Sequence, residues 1–168
     1  MLSYRPADLE AEADRDFILE MHCLASFESD SPWARSVGLA HYRQKWHSTP
    51  QPQSFLETLQ ASRADGRTLV DIWEEADARV GYLWVTFLEI EGYGLTVAEV
   101  NELAVTSTAQ RRGIGTKMLQ RAEAHARERG ADILRSDTGI ENVPSQKLHE
   151  KVGFDAYHLQ YEKRLTDL

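Results

Sequence analysis

The sequence predicts one α/β domain over residues 1–168, built on a mixed, mostly antiparallel sheet with one parallel strand pair and helices on its faces. Three observations predict it. Residues 68–106 read as three β-rich runs joined by short turns, the pattern of an antiparallel meander. Residues 97–136 read strand, helix, strand at the length of a crossover unit, which makes the second strand parallel to the first. Inside that unit, Gln110-Arg111-Arg112-Gly113-Ile114-Gly115 sets two arginines and two glycines at a helix start. Free amides there, at the positive end of the helix dipole, suit an anion, and glycine lets the backbone approach it.

The elements follow in order. Residues 2–5 stop at Pro6, which has no amide for a ladder, so they read as an edge strand. Asp14 or Asp16 caps a helix through Phe17, Ile18, Met21, His22, Leu24 and Ala25. A turn-rich break at 29–32 separates it from a second helix over 35–47, and Pro50 and Pro52 interrupt the chain again. Ser54 caps a third helix, 55–63, with Glu57 completing a capping box, and Ala64-Asp65-Gly66 ends it. Residues 68–74 and 79–90 form a hairpin around 75–78; Leu69, Asp71 and Trp73 share one face of the first strand, Val70, Ile72 and Glu74 the other. Gly92 and Gly94 bracket the next turn, and 97–106 is the third strand. Ile114, Met118, Leu119, Ala122 and Ala126 form one apolar stripe of the helix that follows, which Gly130 stops. Residues 133–136 are a short strand, 144–152 a helix ended by Gly153, and 154–165 a last strand.

Hydrophobic residues are 42% and charged residues 27%, the balance of a globular domain. No apolar run approaches the roughly 20 residues that cross a bilayer, and the acidic N-terminus has no apolar signal core, which predicts a cytoplasmic protein without a membrane partner. The net charge is −8, yet residues 110–130 carry six basic and two acidic side chains. An acidic protein with one basic patch argues against nucleic acid and for a discrete anionic ligand. Arg127 and Arg129 read as a solvated, ion-paired helix face, Arg111 and Arg112 as ligand contacts. Cys23, the only cysteine, reads as core filler. His41 and His47 are six apart, not the four that puts two metal ligands on one helix face, so no metal is expected. The glycine turn is neither a Walker loop, since one residue separates its glycines, nor a dinucleotide fingerprint, since Met118 stands where a third glycine is needed.

The string QRRGIGTKML resembles the acyl-CoA loop and helix start of the GCN5-related N-acetyltransferases (GNAT), and AEVNELAV before it resembles their central strand. Residues 142–154, NVPSQKLHEKVGF, are similar to that family's N-x-x-A-x-x-L-Y-x-x-x-G-F segment, with Ser145 for the usual Ala and His149 for the usual Tyr. The resemblance covers about residues 97–165 and implies a GNAT-like domain whose central parallel strands splay apart. It implies an acetyl-CoA-dependent N-acetyltransferase in which a primary amine attacks the thioester directly, the amine being a small molecule or a peptide; the alternative is an acyl-CoA-binding sensor or regulatory module. By the same resemblance the backbone of Leu103 bonds the acetyl carbonyl, Val105 pairs with the pantetheine arm with Ala104 between them, Gln110, Arg111, Arg112, Gly113, Ile114, Gly115 and Thr116 cradle the pyrophosphate, and Asn142 and Ser145 meet the cofactor arm. A homodimer through the long strand 79–90 or the last strand is open.

A carboxylate on the central strand serves such chemistry as general base. In a regular pleat Glu99 shares a face with Asn101, Leu103 and Val105 while Glu102 points the other way, which favours Glu99. His149, where the family carries its tyrosine acid, is the candidate donor to the leaving thiolate; as neutral imidazole it is a weak acid, which leaves open a raised pKa, a bond to sulfur without transfer, or protonation by solvent. Trp33, Tyr42 and Trp46, with acids around them in the region 27–55, suit a cationic amine or serve as core and surface; the second reading is preferred.

Overall fold

A computed structural model describes residues 1–29, 32–163 and 165. Five strands form one sheet in the order β1 (Leu2–Pro6), β2 (Leu69–Glu75), β3 (Ala78–Ile90), β4 (Leu95–Val105) and β5 (Ile133–Ser136). The first three pairings are antiparallel and β4 with β5 is parallel, as the crossover requires. The β2–β3 hairpin turns on Ala76 and Asp77, both at positive φ (48° and 64°), the backbone a two-residue hairpin needs.

The helices cover both faces. On one, α5 (Ile114–Glu128) lays its apolar stripe over the sheet: Ile114, Met118, Leu119, Ala122 and Ala126 are buried against Leu83, Val85, Ala98 and Val100, and α6 (Val143–Lys151) adds Leu148 at the edge of this layer. Arg121 bonds buried Asp71 of β2 at 3.3 Å, and burial, opposed by Arg121, pushes the Asp71 carboxyl up. On the other face, Ile18 and Met21 of α1 (Glu12–Ser29) and Leu59 of α4 (Gln51–Ser62) pack on Val70, Ile72, Tyr82, Trp84 and Ala104. Two short helices, α2 (Pro32–Val37) and α3 (Leu39–His47), stack on α1 through Cys23, Ala34, Tyr42 and Trp46. Cys23 is buried, and desolvation raises its thiol pKa, so it is core filler.

Four sequence expectations are corrected. The single helix over 35–47 is two, because Gly38 takes φ 79° between them. Ser54 is not a cap: α4 starts three residues earlier, where Pro52 occupies the first turn and needs no amide bond. Nor do Asp14 and Asp16 cap α1, which begins at Glu12. Finally, residues 154–163 form no strand. Tyr157, Leu159 and Tyr161 alternate as a strand would, but a strand needs a neighbour to take its backbone bonds, and these side chains stay exposed. Arg164, within that expectation, lies outside the described residues.

Asp14 instead ties α1 to the sheet. It is 1% exposed and accepts from Arg5 at 2.6 and 2.9 Å, from Arg79 at 2.9 Å and from the Asp8 amide at 2.9 Å. The Arg5 hydrogen bond above all, with the Asp8 amide and Arg79 bonds, outweighs burial and holds its carboxyl well below the usual carboxylate range. A folded-state pKa below the unfolded one stabilises the fold above the unfolded pKa of about 4 and loses that contribution as pH falls through the folded pKa. Asp14→Asn is therefore expected to lower stability at pH 7 by about 2–3 kcal/mol, less than for a fully buried pair because both arginines reach solvent. Denaturant melts should show the gap between variant and wild type shrinking below about pH 4, where unfolded carboxylates protonate; a gap constant down to pH 2 would rule out this ionic tie.

Candidate active site

The site is built where β4 loses one neighbour. Parallel pairing runs from Val97–Ile133 to Val100–Ser136 and stops, while β4 continues to Val105 still bonded to β3. The two strands form a fork. At the same place β4 carries an extra residue: Glu102 pairs with Trp84 and Val100 with Val85, so Asn101 is bulged, its amide bonding Thr86 Oγ1 at 2.6 Å.

The bulge reverses the pleat. Ala98 and Val100 face α5 before it, and Leu103 and Val105 face α5 after it. Glu99 and Glu102 consequently lie together on the α1 face. This corrects the expectation that Glu99 shares a face with Leu103 and Val105 and that Glu102 opposes it; the regular two-residue alternation behind that choice does not hold through a bulge. The carboxylates differ in their partners. Glu99 is partly exposed and bonds Arg135 of β5 at 3.1 Å. Glu102 is 9% exposed; its Oε2 lies 2.9 Å from His22 Nδ1 and 3.3 Å from the Tyr82 hydroxyl, and its Oε1 has no partner among the described residues. Tyr82 is fully buried, and desolvation raises its pKa far above the ordinary value, so it stays protonated and donates to Glu102.

His22 opens onto a cavity of about 650 Å³ between α1, α2, α3, α4 and β3. Its ring stacks on Phe55 at 3.7 Å, and Trp33, Tyr42, Trp46 and Trp84 line the walls. The aromatic side chains read from the sequence as core and surface are partly that: Tyr42 and Trp46 are buried, yet they also line this space. Glu28, the described acid of the region 27–55, does not line it. Neither His22 nor its bond to Glu102 was foreseen. The only sequence signal was a polar ring on an otherwise apolar helix face, 80 residues from its partner.

Beyond the fork lies the anion cradle. The sequence-predicted turn takes φ 60° at Arg111 and 79° at Gly113, which caps α5. Gly113 and Gly115 serve different needs. Gly113 has open space around it and is required by its backbone angle, whereas a Cβ on Gly115 would lie 2.9 Å from Leu148 of α6. The first intrahelical bond is Lys117 N–H to the Gly113 carbonyl, so the amides of Gly113, Ile114, Gly115 and Thr116 point out of the helix end unsatisfied. Ile114 is buried and offers only its backbone. Gln110 bonds the Val105 carbonyl at 3.1 Å, tying the turn to β4. Arg112 pairs with Glu75 at 2.6 Å; Arg111 has no ion-pair partner among the described residues. Arg127 pairs with Glu123 one turn back, the solvated face expected of it.

The α6 residues close the fork from the α5 side. Asn142 caps α6, accepting from the Ser145 amide at 3.2 Å. His149 Nδ1 lies 2.7 Å from the Ser145 carbonyl and Nε2 lies 2.8 Å from Ser136 Oγ. A carbonyl only accepts, so Nδ1 carries the proton and neutral His149 accepts from the Ser136 hydroxyl at Nε2. Ser136 is the last residue of β5, so this pair stands at the mouth of the fork.

The candidate site is thus a forked parallel pair with an amide-rich helix start at its open end, and sequence comparison gives the family. The Acetyltransferase (GNAT) family model matches residues 26–154, and the chain belongs to that family. An uncharacterized N-acetyltransferase of Methanocaldococcus jannaschii is 34% identical over 59 residues, 35% of this chain; the match spans about a quarter (26%) of that relative's length. Among solved structures, a GCN5-related N-acetyltransferase from Ralstonia eutropha superposes with TM-score 0.72 at 19% identity over 99% of this chain and 100% of that one. A predicted acetyltransferase with acetyl-CoA from Clostridium acetobutylicum gives 0.69 at 16% over 98% and 97%. A transcriptional regulator from Bacillus halodurans gives 0.70 at 22% over 98% and 100%. At these identities the structures establish a shared fold.

The cradle geometry yields a paired test. Gly113→Ala places a side chain at φ 79°, a strain of roughly 1–2 kcal/mol that turns the cradle amides. Titration calorimetry is expected to show CoA binding weakened about tenfold, equivalent to ~1.4 kcal/mol. Gly130→Ala, at φ 74° beyond the other end of α5, should cost similar stability and leave CoA affinity unchanged. Equal losses of affinity in both would place the ligand elsewhere.

Proposed function

We propose that the protein transfers an acetyl group from acetyl-CoA to the nitrogen of a primary amine by direct attack, without a covalent enzyme intermediate. The observation that carries this reading is the fork: β4 keeps β3 on one edge and, among the described residues, has no strand on the other from Asn101 to Val105, beside the free amides at the start of α5. In it the backbone of Leu103, Ala104 and Val105 receives the thioester and pantetheine arm. Gln110 to Thr116 hold the pyrophosphate, with Arg111 the more available of the two arginines. Asn142 and Ser145 border the arm from α6, Asn142 chiefly by fixing that helix. The residues present fit the cofactor: the donors at the cradle are backbone amides and a cation, the chemistry a pyrophosphate needs. A bound acetyl-CoA supplies the activated acyl carbon.

Proton removal from the amine belongs to the α1 face, where Glu99 and Glu102 both stand. Thiolate protonation belongs to the α5 face, at Ser136 and His149. Neutral His149 has no N–H to offer there, because its one proton serves the Ser145 carbonyl. A doubly protonated ring would donate from Nε2 to Ser136 Oγ, leaving the Ser136 hydroxyl hydrogen for sulfur; this is the role proposed for His149. The reading places the protein in the cytoplasm, where acetyl-CoA and amines meet, and takes the acting unit as the single chain or a homodimer.

The alternative, a cofactor-binding sensor without chemistry, draws on the same His149 arrangement, which leaves no ready acid. Both are tested together. Thiol release from acetyl-CoA should appear with a panel of primary amines and be absent with tertiary ones; tight CoA binding with no release across the panel would leave the sensor. His149→Phe should lower kcat about tenfold or more, at the low end of what acid–base groups contribute, with CoA affinity nearly intact. An unchanged kcat would remove His149 from the reaction and leave solvent as the proton source.

A further inference from the structure

We infer that His22 takes the proton from the acceptor amine, that Glu102 positions it, and that the acceptor is a singly charged primary amine with an aromatic body seated in the cavity beside it. This rests on the acetyltransferase reading above and names its base and its substrate class.

The geometry begins with Glu102. As a carboxylate it only accepts hydrogen bonds, so the 2.9 Å contact makes His22 Nδ1 the protonated nitrogen. Nε2 is then left with its lone pair, and it has no protein partner among the described residues. Stacking on Phe55 at 3.7 Å and 13° holds the ring plane. A carboxylate that fixes tautomer and orientation, behind an imidazole facing a cavity, is how a general base is prepared. Location supports the role: Glu102 directly precedes Leu103, beyond the last parallel strand pair. Glu99 is engaged by Arg135 and does not line the cavity.

The cavity describes the acceptor. About 650 Å³ lies within the range of small-molecule sites. Its walls include four aromatic rings besides Phe55, whose faces attract one cation and whose area suits a flat apolar body. Among the described residues no aspartate or glutamate lines it, and Lys45 and His41 stand on it. A polyamine would bring its distal charges against Lys45.

The proton balance is as follows. The ammonium gives one proton to His22 Nε2, and the freed nitrogen attacks the acetyl carbon. The C–N bond forms while the carbonyl electron pair moves to oxygen. That pair returns, the C–S bond breaks, and the thiolate departs. The nitrogen then loses its second proton, which balances as the thiol's proton, and the imidazolium returns the first to solvent. The sum is amide, thiol and one proton.

The test uses phenethylamine as acceptor and spermidine as contrast. His22→Asn keeps an N–H near the Nδ1 position for Glu102 and lacks any base at Nε2. It should lower kcat about 100-fold or more near neutral pH, with CoA affinity and Tm close to wild type. The deficit should shrink as pH rises and the amine arrives unprotonated. Among the described residues, the titratable groups facing His22 are Glu102 from β4, Tyr82 from β3, and His41, Tyr42 and Lys45 across the cavity on α3; α2 and α4 present none. His41→Gln and Lys45→Met should therefore leave that pH response in place. Imidazole added to His22→Ala should restore rate, and Glu102→Gln should weaken the pH response while still binding CoA. Wild type should prefer phenethylamine to spermidine in kcat/KM by at least tenfold. A folded His22→Asn with wild-type kcat, a deficit constant across pH, or a deficit shown by Glu99→Gln instead would each overturn the role of His22. Spermidine preferred would overturn the substrate class. Both results leave the acetyltransferase reading standing, whereas no thiol release by wild type with any amine would sink that reading and this inference with it.

Discussion

Strand β4 must keep β3 along one edge while surrendering β5 halfway along the other, and the whole site follows from how it does so. The apolar residues that seat α5 are Ala98, Val100, Leu103 and Val105, spaced two, three and two. A regular strand cannot put all four on one face, because its side chains alternate with a period of two. One extra residue at Asn101 solves this, and pairing to β5 ends one residue earlier. Without the bulge, either Glu102 would enter the layer under α5 or Leu103 and Val105 would leave it. A buried unpaired carboxylate costs several kcal/mol, far more than one irregular ladder position.

The cradle depends on the same layer. The N-terminus of α5 is only as fixed as the helix, and α5 is held by five buried apolar residues, by Arg121 on Asp71 and by His125 on the Arg67 carbonyl at 2.6 Å. Amides aimed at an anion are useful when they need no reorganisation to receive it. Leu148 approaching Gly115 sets α6, and with it Ser145 and His149, at a fixed distance from the cradle. The turn that carries the ligand contacts is therefore braced on both sides, although it is a loop by sequence.

What the sequence made legible was periodic or chemically specific. The α5 stripe, the strand over 133–136 and the alternation of Leu69, Asp71 and Trp73 all stand as read, because each repeats one rule over several residues. The glycine turn was legible because its residue types are uncommon together. Features set by a single residue's context were missed: Gly38 dividing a helix, Pro52 displacing Ser54 as the start of α4, and the bulge that moved Glu102 onto the same face as Glu99. The strand expected over 154–165 is absent from 154–163 for a different reason. Alternation states what a segment would do with a neighbour, and it does not provide one. His22 was invisible because its meaning lies in a partner 80 residues away.

The sheet also separates two proton tasks that conflict in water. An amine must lose a proton before it attacks, while the departing thiolate must gain one. A base and an acid in contact would share a proton and serve neither task well, as coupled pairs do. Here the Glu102–His22 pair lies on the α1 face of β4 and the Ser136–His149 pair on the side of α5 and α6, with the fork between them. The two imidazoles are biased differently by what holds them. His22 Nδ1 is bonded to a carboxylate, which fixes the tautomer that leaves the Nε2 lone pair toward the cavity. His149 Nδ1 is bonded to a backbone carbonyl, which fixes the tautomer that turns Nε2 to Ser136. That asymmetry matches the direction in which the proposed reaction must run, with the proton accepted on the side of the aromatic cavity and supplied on the side where the cofactor leaves.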